Sequence, residues 1–449
     1  GTDILDSGVR YSCPLYCQPT AWLASTLGDN AFSYRILAAL AGIVFIAIIF
    51  LITADLFAPS IATLATFFTA FSYFQIAWSR QARWYTLFEL FFWPALYFFY
   101  KSWYGERRRA LYGTLTILFT IATVLTHSLG LILPFIFAGW IIIDTIFISK
   151  KISSKNLLLP LVTVIASSAL IVFFAYPAIR SLANNLGLHY EFPYYATFYF
   201  RSYWLMLILA LVLLWRMRQR YTKQILFLIF VLLCYLVPLS LFTNLVQYRY
   251  LFHLTPILFI LASLGTFELV ALCSRTYQKS LVVLAVLGLF FATGEGVLFP
   301  RSTFFLESDN PATLPSRSSY LYVPQPDWNG AYAFIKAHRT PSDIVISSMP
   351  QFNKIFLDEA GYWIEYDYIG LAVGQPQITE GREAYVGAQV LASAAELAST
   401  TANQRGFLVL DYMALNRISP EERAHIETRL KQVFYKKTND YSQIWVYEF

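Results

Sequence analysis

The chain of 449 residues is 57% hydrophobic and only 13% charged, about half the ~25% charge of an ordinary soluble domain. That composition excludes a single water-soluble globule. The net charge of +6 conceals two unlike parts: residues 1–299 carry 20 Lys and Arg against 10 Asp and Glu, and residues 300–449 carry 13 against 17. The positive charges of the first part sit in short connections between apolar runs, not on an aromatic-interleaved basic face, which excludes a nucleic-acid binder.

Residues 1–34 form a polar, turn-rich stretch, expected as a first extracytoplasmic loop. Cys13 and Cys17 lie in it and read as two independent small residues, since one pair is no disulfide framework and no His or third Cys completes a zinc set. A bilayer core ~30 Å thick is crossed by about 20 apolar residues in helix. Runs that qualify, or nearly so, are 35–57, 60–78, 84–103, 110–126, 129–148, 156–177, 202–216, 224–242, 250–272 and 280–298. The expected fold class is a polytopic α-helical membrane protein with ten spans in this sequence, residues 35–298 forming the membrane domain.

Charge sets the expected orientation. With residues 101–109 placed inside, alternate connections put Lys150, Lys151, Lys155, Arg216, Arg218, Arg220, Lys223, Arg275 and Lys279 inside as well, making 13 positive residues there. The outer connections keep five: Arg80, Arg83, Arg180, Arg201 and Arg249. Lys and Arg near span ends resist translocation, so this bias predicts the topology. An even span number then puts residues 1–34 and the tail outside.

The tail alternates helix and strand: a helix over Trp328–His338, strands over Asp343–Ser348 and Phe407–Leu410, a charged helix over Glu421–Gln432 and a closing strand over Tyr441–Tyr447. We expect a linker at 299–326 and an extracytoplasmic α/β domain at 327–449.

The outer face gathers Asp3, Asp6, Arg35, Arg80, Arg83, Tyr85, His127, His189, Glu191, Arg249, Tyr250 and His253. Arginine suits phosphate at a membrane boundary, because its planar fork bonds bidentately and stays charged; snorkelling to headgroups is the bland alternative. Arg80 and Arg83, three residues apart, are expected about one helical turn apart and facing one pocket beside Tyr85. Glu89 lies inside a span, where a carboxylate costs at least ~2.5 kcal/mol, and is expected to orient Arg80 or Arg83. His127 stands in a very short outer turn, able to meet a metal or a substrate hydroxyl or merely to satisfy a helix end. Glu295, near the outer end of the last span, needs no function.

Three groups of residues carry a resemblance. They are Ile4-Leu-Asp-Ser-Gly8 with Pro14-Leu-Tyr16 and Leu27-Gly-Asp-Asn-Ala-Phe-Ser-Tyr-Arg35, then Ser79-Arg80-Gln-Ala-Arg83-Trp-Tyr85, and then Arg249-Tyr250-Leu. Their order and sidedness resemble GT-C glycosyltransferases, in particular the protein O-mannosyltransferase and aminoarabinose transferase branch. The resemblance implies an inverting transfer of a hexosyl or pentosyl group from a polyprenyl-phosphate donor to an extracytoplasmic acceptor, a protein, lipid or glycan. It implies that Arg80, Arg83, Tyr85, Arg249 and Tyr250 hold the donor phosphate, with Glu89 and His127 in support. It also implies an acidic pair as base shortly before Ile4, so we expect a further helix and that pair upstream of Gly1, about eleven spans in all. Within the sequence given, Asp3 and Asp6 are the nearest carboxylates. The Lys-bearing motif of the aminoarabinose branch is replaced by Ser12-Cys13-Pro14. No cofactor is required by these residues, and a divalent metal is left open. A transporter or flippase of a lipid-linked saccharide, and a non-catalytic member of a glycan-assembly complex, remain alternatives at this stage.

Overall fold

The computed structural model describes residues 14–28, 30–105, 107–149, 160–169, 192–216, 221–241, 248–297, 326–364, 378–383, 386–439 and 442–449. The chain divides into two compact units, one being Tyr11–Pro300 and the other containing Arg301–Phe449.

Among its described residues the first unit is helical apart from short turns and one bridge between Ser72 and Gly296. Where a turn-rich loop was expected, helix α1 (Pro14–Leu27) forms instead. Its Tyr16 packs with Ala38, Ala41 and Leu87, and apolar burial against two spans stabilises a segment whose local signals read as loop. Cys17 is disulfide-bonded, correcting the reading of two independent cysteines. Asn30 then accepts from the Phe32 and Ser33 amides and starts α2 (Ala31–Leu56).

The expected run at 60–78 is two helices, α3 (Pro59–Phe71) and α4 (Tyr73–Ser79). The break at Ser72 is covered by the chain just beyond the last apolar helix. Tyr73 N–H donates to the Glu295 carbonyl at 3.1 Å, and Val297 N–H donates to the Phe71 carbonyl at 2.8 Å. A broken helix at membrane depth is tolerated only when protein re-satisfies the freed backbone, as it does here.

Next come α5 (Tyr85–Tyr104) and α6 (Arg109–Thr126), then a 3-10 turn (Ser128–Ile132), α7 (Leu133–Ile143) and a π-turn (Asp144–Ile148). They are followed by α8 (Pro160–Ala169), α9 (Phe192–Ser202), α10 (Trp204–Arg216) and α11 (Thr222–Leu241). A 3-10 turn (Tyr248–Leu254) leads into α12 (Thr255–Val270), and α13 (Thr276–Ala292) closes the unit.

Among the described residues five helical stretches are long and apolar enough to cross a membrane: Phe32–Leu56, Arg109–Thr126, Ser128–Ile148, Thr222–Leu241 and Arg249–Val270. The last is central, with 89% of its apolar window buried against 33–44% for the others. Lipid-type faces elsewhere expose Leu51, Leu118, Phe135 and Trp215. Close packing of α12 on α10 depends on Gly265, because a Cβ there would meet the Leu209 carbonyl oxygen. Small residues let membrane helices approach in this way.

The second unit is an α/β fold. Its helix α14 (Trp328–His338) precedes β1 (Ile344–Ser347), α15 (Pro350–Leu357) and β2 (Tyr362–Ile364). Then follow β3 (Ile378–Thr379), β4 (Arg382–Glu383), β5 (Gln389–Leu391), α16 (Ala394–Asn403) and β6 (Gly406–Asp411). The chain ends with α17 (Tyr412–Leu415), α18 (Pro420–Arg429), β7 (Lys431–Asn439) and β8 (Ser442–Glu448). The sheet order is β3-β4-β5-β2-β1-β6-β8-β7, with β5, β2, β1 and β6 parallel.

Alternation along β6 sends Phe407 and Val409 toward α14 and α15, and Leu408 and Leu410 toward α16 and α18. That two-sided burial explains the unbroken apolar run read as a strand. The charged helix expected to reach Gln432 stops at Arg429, since Lys431–Asn439 pairs antiparallel with β8 and cross-strand pairing there outweighs helix propensity.

Asp327 starts α14. Its carboxylate accepts the Gly330 amide at 3.0 Å and pairs with Lys436 at 2.7 Å. The Lys436 ammonium, followed by that amide, holds the carboxyl below its usual range. The stabilisation is therefore full above the unfolded carboxyl's pKa and is lost as pH falls through the lowered folded value.

Two outcomes are expected. Gly265→Ala should lower the thermal midpoint of the purified protein, with a cost of about 1–3 kcal/mol for overpacking; an unchanged midpoint would show that α10 and α12 separate freely. Asp327→Asn, which keeps a capping oxygen, should melt below wild type at neutral pH, and the gap should close as the pH is lowered past the ordinary carboxylate range.

Candidate functional site

The Ser79–Tyr85 segment is a turn between two helices. Gln81 N–H donates to the Trp78 carbonyl at 3.2 Å, and Arg83 N–H donates to the Gln81 carbonyl at 2.8 Å. Arg80 and Arg83 therefore do not share a helical face as expected; local backbone hydrogen bonding replaces the helix between α4 and α5. Both side chains are exposed. Arg83 makes no side-chain hydrogen bond or ion pair among the described residues, so its donor fork remains available. Arg35 is exposed on α2.

Tyr85 is buried at the start of α5, 2% exposed. Its ring centroid lies 4.3 Å from that of Trp78 and 4.0 Å from that of Trp84. The guanidinium groups of Arg249 and Arg83 both lie within electrostatic reach of its hydroxyl. Arg83 reaches the Tyr16 hydroxyl of α1 in the same way. Three separated stretches, 14–27, 83–85 and 248–254, thus supply one neighbourhood of positive charge and phenol.

A stack of flat groups organises its far side. Trp84 and His127 stack at 3.7 Å with planes 14° apart, and His127 and Tyr250 stack at 6.2 Å and 30°. The Arg249 guanidinium carbon sits 5.5 Å from the Tyr250 ring centre, within cation–π range. His127 Nδ1 accepts the Leu129 amide at 3.1 Å, capping the 3-10 turn that leads into α7. The helix-end role expected as one reading of His127 is therefore present.

Glu89 does not orient an arginine. It is fully buried, and its Oε1 accepts from Gln75 Nε2 at 2.9 Å; a neutral amide one helix away satisfies half of the carboxyl, and Oε2 has no hydrogen-bond partner. His253 is 2% exposed, with ring centroids of Phe88, Phe92 and Tyr235 at 4.9, 4.6 and 4.5 Å, and belongs to the aromatic core. Glu295, read as idle, accepts the Leu205 amide at 2.9 Å at the start of α10. That tie joins chain ends 90 residues apart, which spacing alone does not reveal.

Asp3, Asp6, Arg180, His189 and Glu191 lie outside the described residues. Among the described residues no group of three or more His, Cys, Asp or Glu gathers that could hold a metal ion. Sequence reasoning missed Gln75 as the partner of Glu89 and Trp84 as the partner of His127. Trp84 carried a signal, its place between Arg83 and Tyr85, whereas Gln75 carried none.

Comparison with known proteins bears on this geometry. Residues 14–175 match the family described as dolichyl-phosphate-mannose-protein mannosyltransferase. No curated protein sequence matches the chain. Among solved structures, ArnT from Cupriavidus metallidurans bound to undecaprenyl phosphate is similar at TM-score 0.57 and 11% identity, over 97% of this chain and 87% of that one. The Archaeoglobus fulgidus oligosaccharyltransferase tethered with an acceptor peptide aligns at TM-score 0.53 and 12% identity, over 95% of this chain and 65% of that one. Archaeal oligosaccharyltransferase AglB from the same organism, in complex with an inhibitory peptide and a dolichol-phosphate, aligns at 0.55 and 11%, over 97% and 66%. The helical unit and the sheet-bearing tail together have the GT-C fold of these glycosyltransferases, as the three short motifs implied.

Proposed function

We propose that this chain transfers a sugar from a polyprenyl-phosphate-linked donor to an acceptor on the extracytoplasmic side of the membrane. The observation that carries the reading is the Arg249 guanidinium, 5.5 Å from the Tyr250 ring centre, beside the Trp84–His127–Tyr250 stack, with exposed Arg83 next to Trp84 in the chain. The family match over residues 14–175 and the fold shared with undecaprenyl- and dolichol-phosphate complexes support it. The positive-inside bias supports the outer placement of these arginines.

The reaction requires a leaving phosphate stabilised as charge develops on it, and a base to take the acceptor's proton. Arg83, exposed with an uncommitted fork, and Arg249, held against Tyr250, meet the first requirement. Arg80, five residues before Tyr85 at the start of α5, adds a third guanidinium on the same side. A first-loop carboxylate, Asp3 or Asp6 or one upstream of them, is the proposed base. The hydrophobic faces between helices would take the lipid tail, and the α/β unit would present or bind the acceptor. In this reading the membrane domain spans 35–298 with about ten crossings. The unusual residues lie near span ends, not at the midplane, which favours surface chemistry over passage.

Arg83→Ala should reduce transfer from a labelled polyprenyl-phosphate sugar at least about 100-fold and leave the thermal midpoint within a degree or two, because Arg83 supports no packing. Arg249→Lys, which keeps charge but loses the planar contact with Tyr250, should retain partial transfer. Wild-type rates in Arg83→Ala would remove that residue from the phosphate site. Donor transport across vesicles without transfer to any acceptor would replace the whole reading.

A further inference from the structure

The imidazole of His127 has one committed nitrogen and one uncommitted nitrogen. Nδ1 accepts the Leu129 amide at 3.1 Å, so in the neutral ring the proton must sit on Nε2. Nε2 makes no hydrogen bond among the described residues, and the residue is half-buried. The ring also stacks on Trp84, with centroids 3.7 Å apart and planes 14° apart, and lies 6.2 Å from the Tyr250 ring at 30°. Arg249 lies within electrostatic reach of it, and Trp84 follows Arg83 directly.

We propose that His127 is a phosphate-binding residue, a neutral imidazole whose Nε2–H donates to a phosphate oxygen of the lipid carrier held by Arg83 and Arg249. The assignment rests on the donor reading above and extends it to a third, uncharged donor. It excludes the two other roles open to this histidine. A ring whose Nδ1 is tied to a backbone amide and whose Nε2 carries the proton presents no lone pair to a metal ion. For the same reason it presents no base to an acceptor hydroxyl. Two guanidinium groups supply charge, and the N–H edge supplies direction, since the Trp84 stack and the Nδ1 hydrogen bond fix the ring's orientation.

Asn and Gln separate the two nitrogens. His127→Asn places an amide oxygen near Nδ1 and keeps the cap while removing the Nε2 donor. His127→Gln reaches the Nε2 position with a donor and gives up the cap. Both variants and wild type would be purified in phosphatidylcholine nanodiscs, where headgroup phosphate is in constant excess, so that binding over this background belongs to the carrier. Undecaprenyl phosphate and undecaprenol would be titrated in parallel.

His127→Asn should weaken undecaprenyl phosphate about tenfold, the worth of one hydrogen bond to a charged acceptor, with the thermal midpoint lowered only by the lost ring stacking. His127→Gln should bind within about threefold of wild type but melt lower, because it loses the cap. Undecaprenol should bind all three alike. Nitrogen NMR of histidine-labelled wild type should show the Nε2-protonated tautomer, with Nε2 responding to the phosphate ligand. Equal binding of undecaprenyl phosphate by wild type and His127→Asn would overturn this inference alone. An equal loss for undecaprenol would assign the effect to packing and overturn it too. Failure of wild type to bind undecaprenyl phosphate would overturn the donor reading and this inference together.

Discussion

Hydrocarbon offers no hydrogen-bond partner, and the Tyr11–Pro300 unit is arranged around that deficit. Its backbone is helical almost wherever it is described, and where a helix breaks, protein supplies the missing partners. Residues 295–297 bond across the Ser72 break, and the Glu295 carboxylate takes the Leu205 amide at the start of α10. Charged side chains follow the same constraint. Glu89 and Asp144 are buried but bonded, the first to Gln75 and the second to Trp103, Tyr104 and Ser149. Arg80 and Arg83 instead stand exposed in a turn.

The same pressure gives the helix mouths their chemistry. A turn between spans must be short and must cap what it leaves open, so His127 caps with Nδ1. The Arg249-Tyr250 pair enters on a 3-10 turn just before the most buried helix, α12. Trp84 closes the α4–α5 turn against the His127 ring. Side chains from three connections thereby meet without any connection being long.

The second unit obeys a different rule, since its burial comes from layering. Its central strands β1 and β6 are apolar on both faces and are covered by helices on each. The outermost strand β7 carries Lys431, Lys436 and Lys437 along with two register shifts, features that protect an open sheet edge.

Much of this was legible in one sequence. Apolar run length placed α2, α5, α6, α11 and α12 within a few residues, and short apolar runs placed β1, β6 and β8. The short motifs around Pro14, Arg83 and Arg249 pointed to the fold before any coordinates. The errors share a cause. Helix α1, the Ser72 break, the pairing of Glu89 with Gln75 and the strand at 431–439 all depend on neighbours distant in sequence. Hydrophobic length and charge bias are summed over a segment's own residues, so the sequence by itself determined the class and the positions of several apolar helices. Which side chains touch was decided by packing alone, because the Trp84–His127–Tyr250 stack and the Gln75–Glu89 bond exist only once segments far apart in the chain are packed together.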